Sequence, residues 1–319
     1  MDLQIKNSMK NRCSIYFYIA LNLVLVLFAC ANEFTNLAQR EEEPPQKGII
    51  QDKNMDLGLA CMKSQNWVGA ITAFNSAIQQ NSNDKSAYEY RGDCYFAIGD
   101  LNKAIADYNK SIEIDPSNAT VLYDRATAYL GVNKIEEALV DINISLRLNA
   151  TNVLAHERRA SIYSLQGQHR LAIKDWDEEL KIYPNNARAR AGRGWDYFKT
   201  GQYEKSTQDY NYAIQLNATN YMAYNNLAWI LATAPDIKAR NGQEAVKIAN
   251  KACELSHWLK PMCLDTLAAA YAEMGDFDKA VQFQKQAMDL QGLKTDQQPE
   301  EQKKLELYQQ HKPFRDNSN

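Results

Sequence analysis

The sequence predicts an all-α chain made by repeating one helix hairpin about seven times and closing the array with a C-terminal helix. Three observations carry this. Residues of one kind recur every 34 positions: Ala104, Ala138, Ala172 and Ser206; Tyr95, Tyr129, Tyr163 and Tyr197; Tyr108, Ile142, Trp176 and Tyr210. A fixed period of this length marks units that bury their apolar faces only by stacking on one another. The eight prolines fall in tethers, turns or helix starts, never in a predicted helix interior, where the ring removes a hydrogen bond and clashes with the preceding turn. A net charge of −3 and a mean hydropathy of −0.53 exclude a multi-spanning membrane protein and leave no basic footprint for nucleic acid.

Residues 1–29 read as an address rather than as fold. Lys6, Lys10 and Arg12 precede an apolar run from Ile15 to Ala31 that is broken only by Asn22. The run is short for a bilayer span of about 20 residues and long for a secretory core of about 7–15. Leu27-Phe28-Ala29-Cys30 resembles a bacterial lipobox, with Phe28 larger than the usual residue there. The expectation is a signal peptide ending before Cys30 and lipidation of Cys30, which implies a membrane-anchored lipoprotein of the bacterial envelope, periplasmic or surface. A plainly cleaved signal (a secreted protein) and an uncleaved single-pass anchor are the alternatives, and Met9 is a second candidate start. Residues 30–50, with Arg40-Glu41-Glu42-Glu43-Pro44-Pro45, lack helical periodicity and read as a flexible tether.

The array is expected over 51–290, with units starting near Gln51, Lys85, Ala119, Val153, Ala187, Tyr221 and Pro261. Gly99, Gly167 and Gly201 hold one register, and Pro116 and Pro184 another. The first unit is marked by Gly58, Ala70, Phe74 and Ala77, and the seventh by Leu267, Ala268, Tyr271, Gly275, Phe277, Ala280 and Ala287. The sixth is lengthened between Ala234-Pro235-Asp236 and Asn241-Gly242, with its second helix expected from Gln243. This pattern of small, aromatic and proline positions resembles the tetratricopeptide repeat. The resemblance implies a right-handed α-solenoid of helix pairs A and B. Residues 291–319 are expected to hold a capping helix, with Pro299 in its first turn and Leu305-Glu306-Leu307-Tyr308 covering the last repeat.

Comparing the repeats with one another shows a second pattern. Position 7 is Arg91, Arg125, Arg159 and Arg193 in repeats two to five, and position 23 is Asp107, Asp141, Asp175 and Asp209. The remaining repeats pair Leu57 with Ala73, Leu227 with Ile248 and Leu267 with Phe283. Arginine and aspartate enter and leave together, so four structural ion pairs are expected, each joining helix A to helix B. An anion-binding stripe is the rival reading, and the aspartates argue against it.

The family resemblance places positions 2, 5, 9 and 12 of helix A along an inner groove. The expected groove residues are Glu89, Asp93, Phe96, Tyr123, Thr127, Glu157, Ser161, Arg188, Trp195, Phe198, Asn225 and Trp229. Tryptophan and arginine are common anchors in interfaces, while Trp195 and Trp229 could equally pack against a neighbouring helix. Repeats that clamp chaperone C-termini use Lys and Asn at positions 5 and 9 of the first repeat. Here Met55 and Leu59 stand there, and Glu89 and Asp93 in the second repeat, so that role is not expected.

No catalytic constellation is visible. His156 and His169 occupy packing positions, and Gly192-Arg193-Gly194 falls inside a helix. Cys61, Cys94, Cys253 and Cys263 have no zinc spacing. They read as free thiols or as two disulfide candidates. The expected function is therefore a non-catalytic scaffold, with no cofactor and no metal, that offers its groove to a protein or peptide partner in envelope assembly. The alternatives are a self-associating structural adaptor and an accessory subunit of an enzyme complex.

Overall fold

The computed structural model describes residues 53–291 and 299–316. The expected leader, Cys30 and the tether lie outside the described residues. Within them the regular structure is helical throughout: α1 (Lys53–Lys63), α2 (Trp67–Gln80), α3 (Lys85–Ala97), α4 (Leu101–Ile114), α5 (Ala119–Gly131), α6 (Ile135–Leu148), α7 (Val153–Leu165), α8 (His169–Ile182), α9 (Ala187–Lys199), α10 (Tyr203–Leu216), α11 (Tyr221–Thr233), α12 (Gly242–Leu255), α13 (Pro261–Met274), α14 (Phe277–Gln291) and α15 (Pro299–Gln309). The lengthened turn of the sixth pair contains a single 3₁₀ turn, Ile237–Ala239, and α12 starts at Gly242, one residue before the expected point.

Local chemistry sets these boundaries. Asp84, Asn118, Asn152, Asn186 and Asn220 recur every 34 residues, just ahead of α3, α5, α7, α9 and α11. Each side chain accepts a hydrogen bond from a first-turn backbone N–H, which satisfies donors that have no partner within the helix. The turn between A and B passes through a left-handed residue at one register position: Gln65, Gly99, Asn133, Gly167, Gly201 and Gly275 all have positive φ. Glycine tolerates that conformation at no steric cost, and asparagine tolerates it better than most.

The helices form two compact units, the first ending at Ala155 and the second running from His156. In the first, each helix from α1 to α5 packs against the next in sequence. Phe74 buries beside Ala70 and Cys94, and Tyr108 beside Ala104, Val121 and Ala128. Small residues oppose large ones here. A Cβ on Gly92 would lie 2.8 Å from the Tyr108 ring, and one on Gly58 would overlap Phe74. The second unit continues the same scheme from α8 to α14 and adds α15 against α14. Its interior holds Trp176, then Phe198, Tyr210, Leu227 and Ile230, then an alanine-rich layer with Leu264 and Leu267. Tyr308 on α15 is fully buried against Ala268, Ala272 and Ala280, so α15 closes the end of this core.

Candidate binding groove

The arginines of helix A lie between two helices of their surroundings. Arg91 donates from Nε and Nη2 to the two oxygens of Asp107 at 2.7 and 2.6 Å, and from Nη1 to Asn75 Oδ1 at 2.6 Å. Arg125 repeats this with Asp141 at 2.7 and 2.7 Å and with Asn109 at 2.7 Å. Arg193 does so with Asp209 at 2.7 and 2.8 Å and with Asp177 at 2.7 Å. Arg159 holds Asp175 at 2.8 and 2.6 Å, and His156 Nδ1 lies 2.9 Å from the same carboxylate. The two-point fork fixes orientation as well as charge. The third partner is the residue that sequence reasoning missed. Asn75, Asn109 and Asp177 belong to helix B of the preceding repeat, so Arg91, Arg125 and Arg193 each tie one repeat to the next. Its signal was present, because Asn75, Asn109, Asn143 and Asp177 follow the 34-residue period.

The charges respond accordingly. The Asp107 hydrogen bond raises Arg91 above its ordinary value, as Asp141 raises Arg125 and Asp175 raises Arg159. Burial opposes the charge on Arg193, and Asp209 more than offsets it. Burial would raise the Asp175 carboxyl, yet Arg159 and His156 bring it below the usual carboxylate value. Arg159, Arg190 and Arg193 also line a polar cleft of about 510 Å³ with Lys174, Lys181, Asp175, Asp177 and Glu178, in which the arginines are already engaged by carboxylates.

Six of the expected groove residues are not open to a ligand. Glu89, Asp93, Tyr123, Thr127, Phe198 and Asn225 are buried. Their side chains turn into the packing between adjacent helices rather than outward. Asp93 accepts the Tyr108 hydroxyl at 2.9 Å, and Glu89 accepts from Asn118 at 3.1 Å. Thr127 donates to the Tyr123 carbonyl at 3.1 Å. Phe96, Ser161, Glu157 and Trp195 are half-buried, and Ser161 donates to the Glu157 carbonyl at 2.9 Å. Arg188 is exposed and pairs with Glu157 at 2.8 Å. Trp195 lies tilted against Phe198 with Lys199 above its ring, 5.5 Å from the centroid. Trp229 is covered by residues 314–316 of its own chain, for its indole N–H donates to Asp316 Oδ2 at 2.8 Å.

Two buried acids accompany this surface. Glu179 on α8 stands where the other repeats place Ala77, Ser111, Ser145 and Ala213. Asn186 donates to its Oε1 at 2.6 Å, and its Oε2 has no partner. Burial, then Glu157, pushes its carboxyl up to about 8, which favours the protonated form. Asp196 on α9 is fully buried and accepts Ser164 Oγ at 2.7 Å and Trp176 Nε1 at 2.8 Å, with His169 Nδ1 at 2.7 Å. The two histidines read as packing residues are thus partners of buried carboxylates, His156 with Asp175 and His169 with Asp196. Ser164 faces the carboxylate and not the imidazole, so it does not form the direct serine–histidine contact of a nucleophilic pair.

All four cysteines of the described residues are free thiols. Burial pushes Cys94 and Cys253 up to about 12, well away from the reactive thiolate. Among the described residues no cluster of His, Cys, Asp and Glu could hold a metal, and no helix is long and apolar enough to cross a membrane.

Family models place this architecture. One described as TPR repeat matches residues 92–132, and two described as tetratricopeptide repeat match 123–187 and 264–292. Over 92–187 and 264–292 the chain carries tetratricopeptide repeats. A tetratricopeptide repeat protein from Parabacteroides merdae superposes with a TM-score of 0.54 at 18% identity, over 81% of this chain and 98% of that one. The C-terminal part of a TPR repeat-containing protein from Cytophaga hutchinsonii does so with a TM-score of 0.59 at 16% identity, over 76% and 97%. These likenesses show the fold. In sequence, the chain is 35% identical over 81 residues to Hsp70-Hsp90 organizing protein 3 of Arabidopsis thaliana, 25% of this chain and 14% of that one. The chain therefore spans a small part of that relative's length. Tetratricopeptide repeats generally mediate protein–protein interaction, and their fold generally serves as a non-catalytic scaffold.

Proposed function

We propose that this tetratricopeptide protein is a non-catalytic scaffold, tethered to a bacterial envelope membrane through lipid on Cys30, that docks a protein or peptide partner along the helix A surface of α7 and α9. The observation that carries the docking surface is the group formed by Glu157, Arg188, Trp195 and Lys199. It combines an exposed guanidinium, a carboxylate and a half-buried indole beside an ammonium. Aromatic and arginine side chains of this kind concentrate binding energy in interfaces. The lipobox-like Leu27-Phe28-Ala29-Cys30 supports the anchor.

A photo-cross-linking residue placed at Arg188 or at Trp195 in cells tests the surface. A single partner captured from both positions, and not from exposed Lys110 on α4, is the expected result. Capture from no position on α7 or α9 defeats the reading. Labelling with a fatty-acid analogue, lost in Cys30→Ala, tests the anchor separately.

A further inference from the structure

The last described residues do not extend α15. The chain turns through His311, which has φ +57, and the Lys312 N–H returns to the Leu307 carbonyl at 2.9 Å. Residues 313–316 then run without helical structure across α11 and α13. The contacts alternate in chemistry along this segment. The Phe314 ring lies 5.8 Å from the Trp229 ring, and Lys304 sits over both, 5.2 Å from the Trp229 centroid. Lys304 is itself held by Asp265 at 2.6 and 2.5 Å. Arg315 pairs with Glu273 at 2.6 Å and donates to the Ala232 carbonyl at 3.4 Å. The Asp316 N–H donates to the Thr233 carbonyl at 3.0 Å while its carboxylate accepts from Trp229.

Each part of this seat selects something. The last carbonyls of α11 have no partner within the helix, and two of them take the tail's guanidinium and backbone N–H. Glu273 is fixed in place by Arg240 at 2.9 Å, so it is pre-set for a cation. The Trp229 indole packs against a tilted ring and offers an N–H to an acid. Covering a terminal core needs only apolar bulk, which Leu305 and Tyr308 already supply. A seat that reads a ring, a cation, an anion and a main-chain N–H in sequence is built for a peptide.

We propose that Trp229, Glu273 and Lys304 form a peptide-binding site whose tethered occupant is Phe314-Arg315-Asp316. The partner segment it takes in trans carries an aromatic, a basic and an acidic residue in that order, and binding displaces the tail. This goes beyond the docking surface on α7 and α9, because the seat lies on α11, α13 and α15.

A fluorescein-labelled peptide Lys-Pro-Phe-Arg-Asp is titrated against the full chain and against the full chain carrying Phe314→Ala, Arg315→Ala and Asp316→Ala. A tethered segment competes at an effective concentration of about 1 mM. A peptide with a Kd of about 10 μM for the vacated site therefore binds the unaltered chain about 100-fold more weakly. Adding Trp229→Phe to the triple variant keeps an aromatic face but removes the N–H, and should weaken binding at least about 5-fold, since a hydrogen bond to a charged group is lost. A triple variant that melts with the unaltered chain yet binds the peptide no better overturns the proposal.

If the triple variant unfolds, hydrogen exchange at the Asp316 amide of the unaltered chain decides instead. Exchange that speeds up under millimolar peptide supports a shared site, and exchange that stays constant overturns it. Cross-linking from Arg188 keeps the two readings apart. Partner capture there without peptide binding here defeats this inference alone, and peptide binding here without capture from α7 or α9 supports it and defeats only the α7 and α9 surface.

Discussion

Helix pair two and helix pair six solve the same packing problem with opposite chemistry. In pair two, Arg91 on α3 meets Asp107 on α4, both largely shielded from solvent. In pair six, Leu227 on α11 occupies the arginine's place and is almost wholly buried, with Ile248 packed near it. Both arrangements join helix A to helix B. They differ in what else they reach. Arg91 has donors to spare and also holds Asn75 on α2, so it ties its own repeat to the one before. Leu227 fills space but has no directional bond to give. At this position the charged repeat adds a directional tie to its neighbour, and the apolar one contributes burial.

Breaking one partner sharpens this contrast most. Arg91→Ala leaves Asp107 buried without its cation and should cost about 3–5 kcal/mol, read from chemical denaturation. Arg91→Leu with Asp107→Ile rebuilds the chemistry of pair six and should recover most of that loss. A double variant as unstable as the single one would show that the charges themselves hold the pair together.

The next largest effect concerns the opposition of small and large residues that both kinds of repeat share. Gly58→Ala drives a methyl into Phe74 and should cost about 1–3 kcal/mol, as overpacking does. Phe74→Leu on the same background should remove part of that strain, whereas Phe74→Leu alone should destabilise. Calorimetric midpoints of the three variants check it.

Glu179 gives an effect that depends on pH. Its carboxyl is pushed up to about 8 in the folded chain from an ordinary 4.5. Between those values the folded state keeps a proton that the unfolded state has released. Stability therefore falls as pH rises from about 4.5 to about 8 and levels off above, with a slope near 1.4 kcal/mol per pH unit for one proton. Glu179→Gln should flatten that part of the melting profile. An unchanged slope would mean that the carboxyl ionises normally. At the bottom of the scale, Lys110→Ala removes an exposed ion pair with Glu113 one turn away on α4, and its melting midpoint should match that of the unaltered chain.

Much of the fold could be read from residues near one another in sequence. The period of 34 locates each hairpin, and the left-handed position between its helices shows as glycine in four repeats. The Asx residues at 84, 118, 152, 186 and 220 mark the helix starts just as openly. The groove was less legible. A helical wheel places Glu89, Asp93, Tyr123, Thr127, Phe198 and Asn225 on one face but does not say how far the adjacent helix overlaps that face. Overlap buries all six. His156 and His169 were read as packing residues because their partners, Asp175 and Asp196, lie a helix or more away.

The sequence by itself determined the helices, their pairing and the alternation of charged and apolar repeats, because each depends on short-range periodicity and on residues that change together. The tertiary structure alone decided that Arg91, Arg125 and Arg193 reach back to the preceding repeat, that Asp196 gathers Ser164, His169 and Trp176, and that Asp316 lies on Trp229. The physical reason is distance along the chain. Trp229 and Asp316 are 87 residues apart, and such a contact leaves no period to read. It exists only because stacking brings the ends of α11 and α13 to the point where the chain emerges from α15.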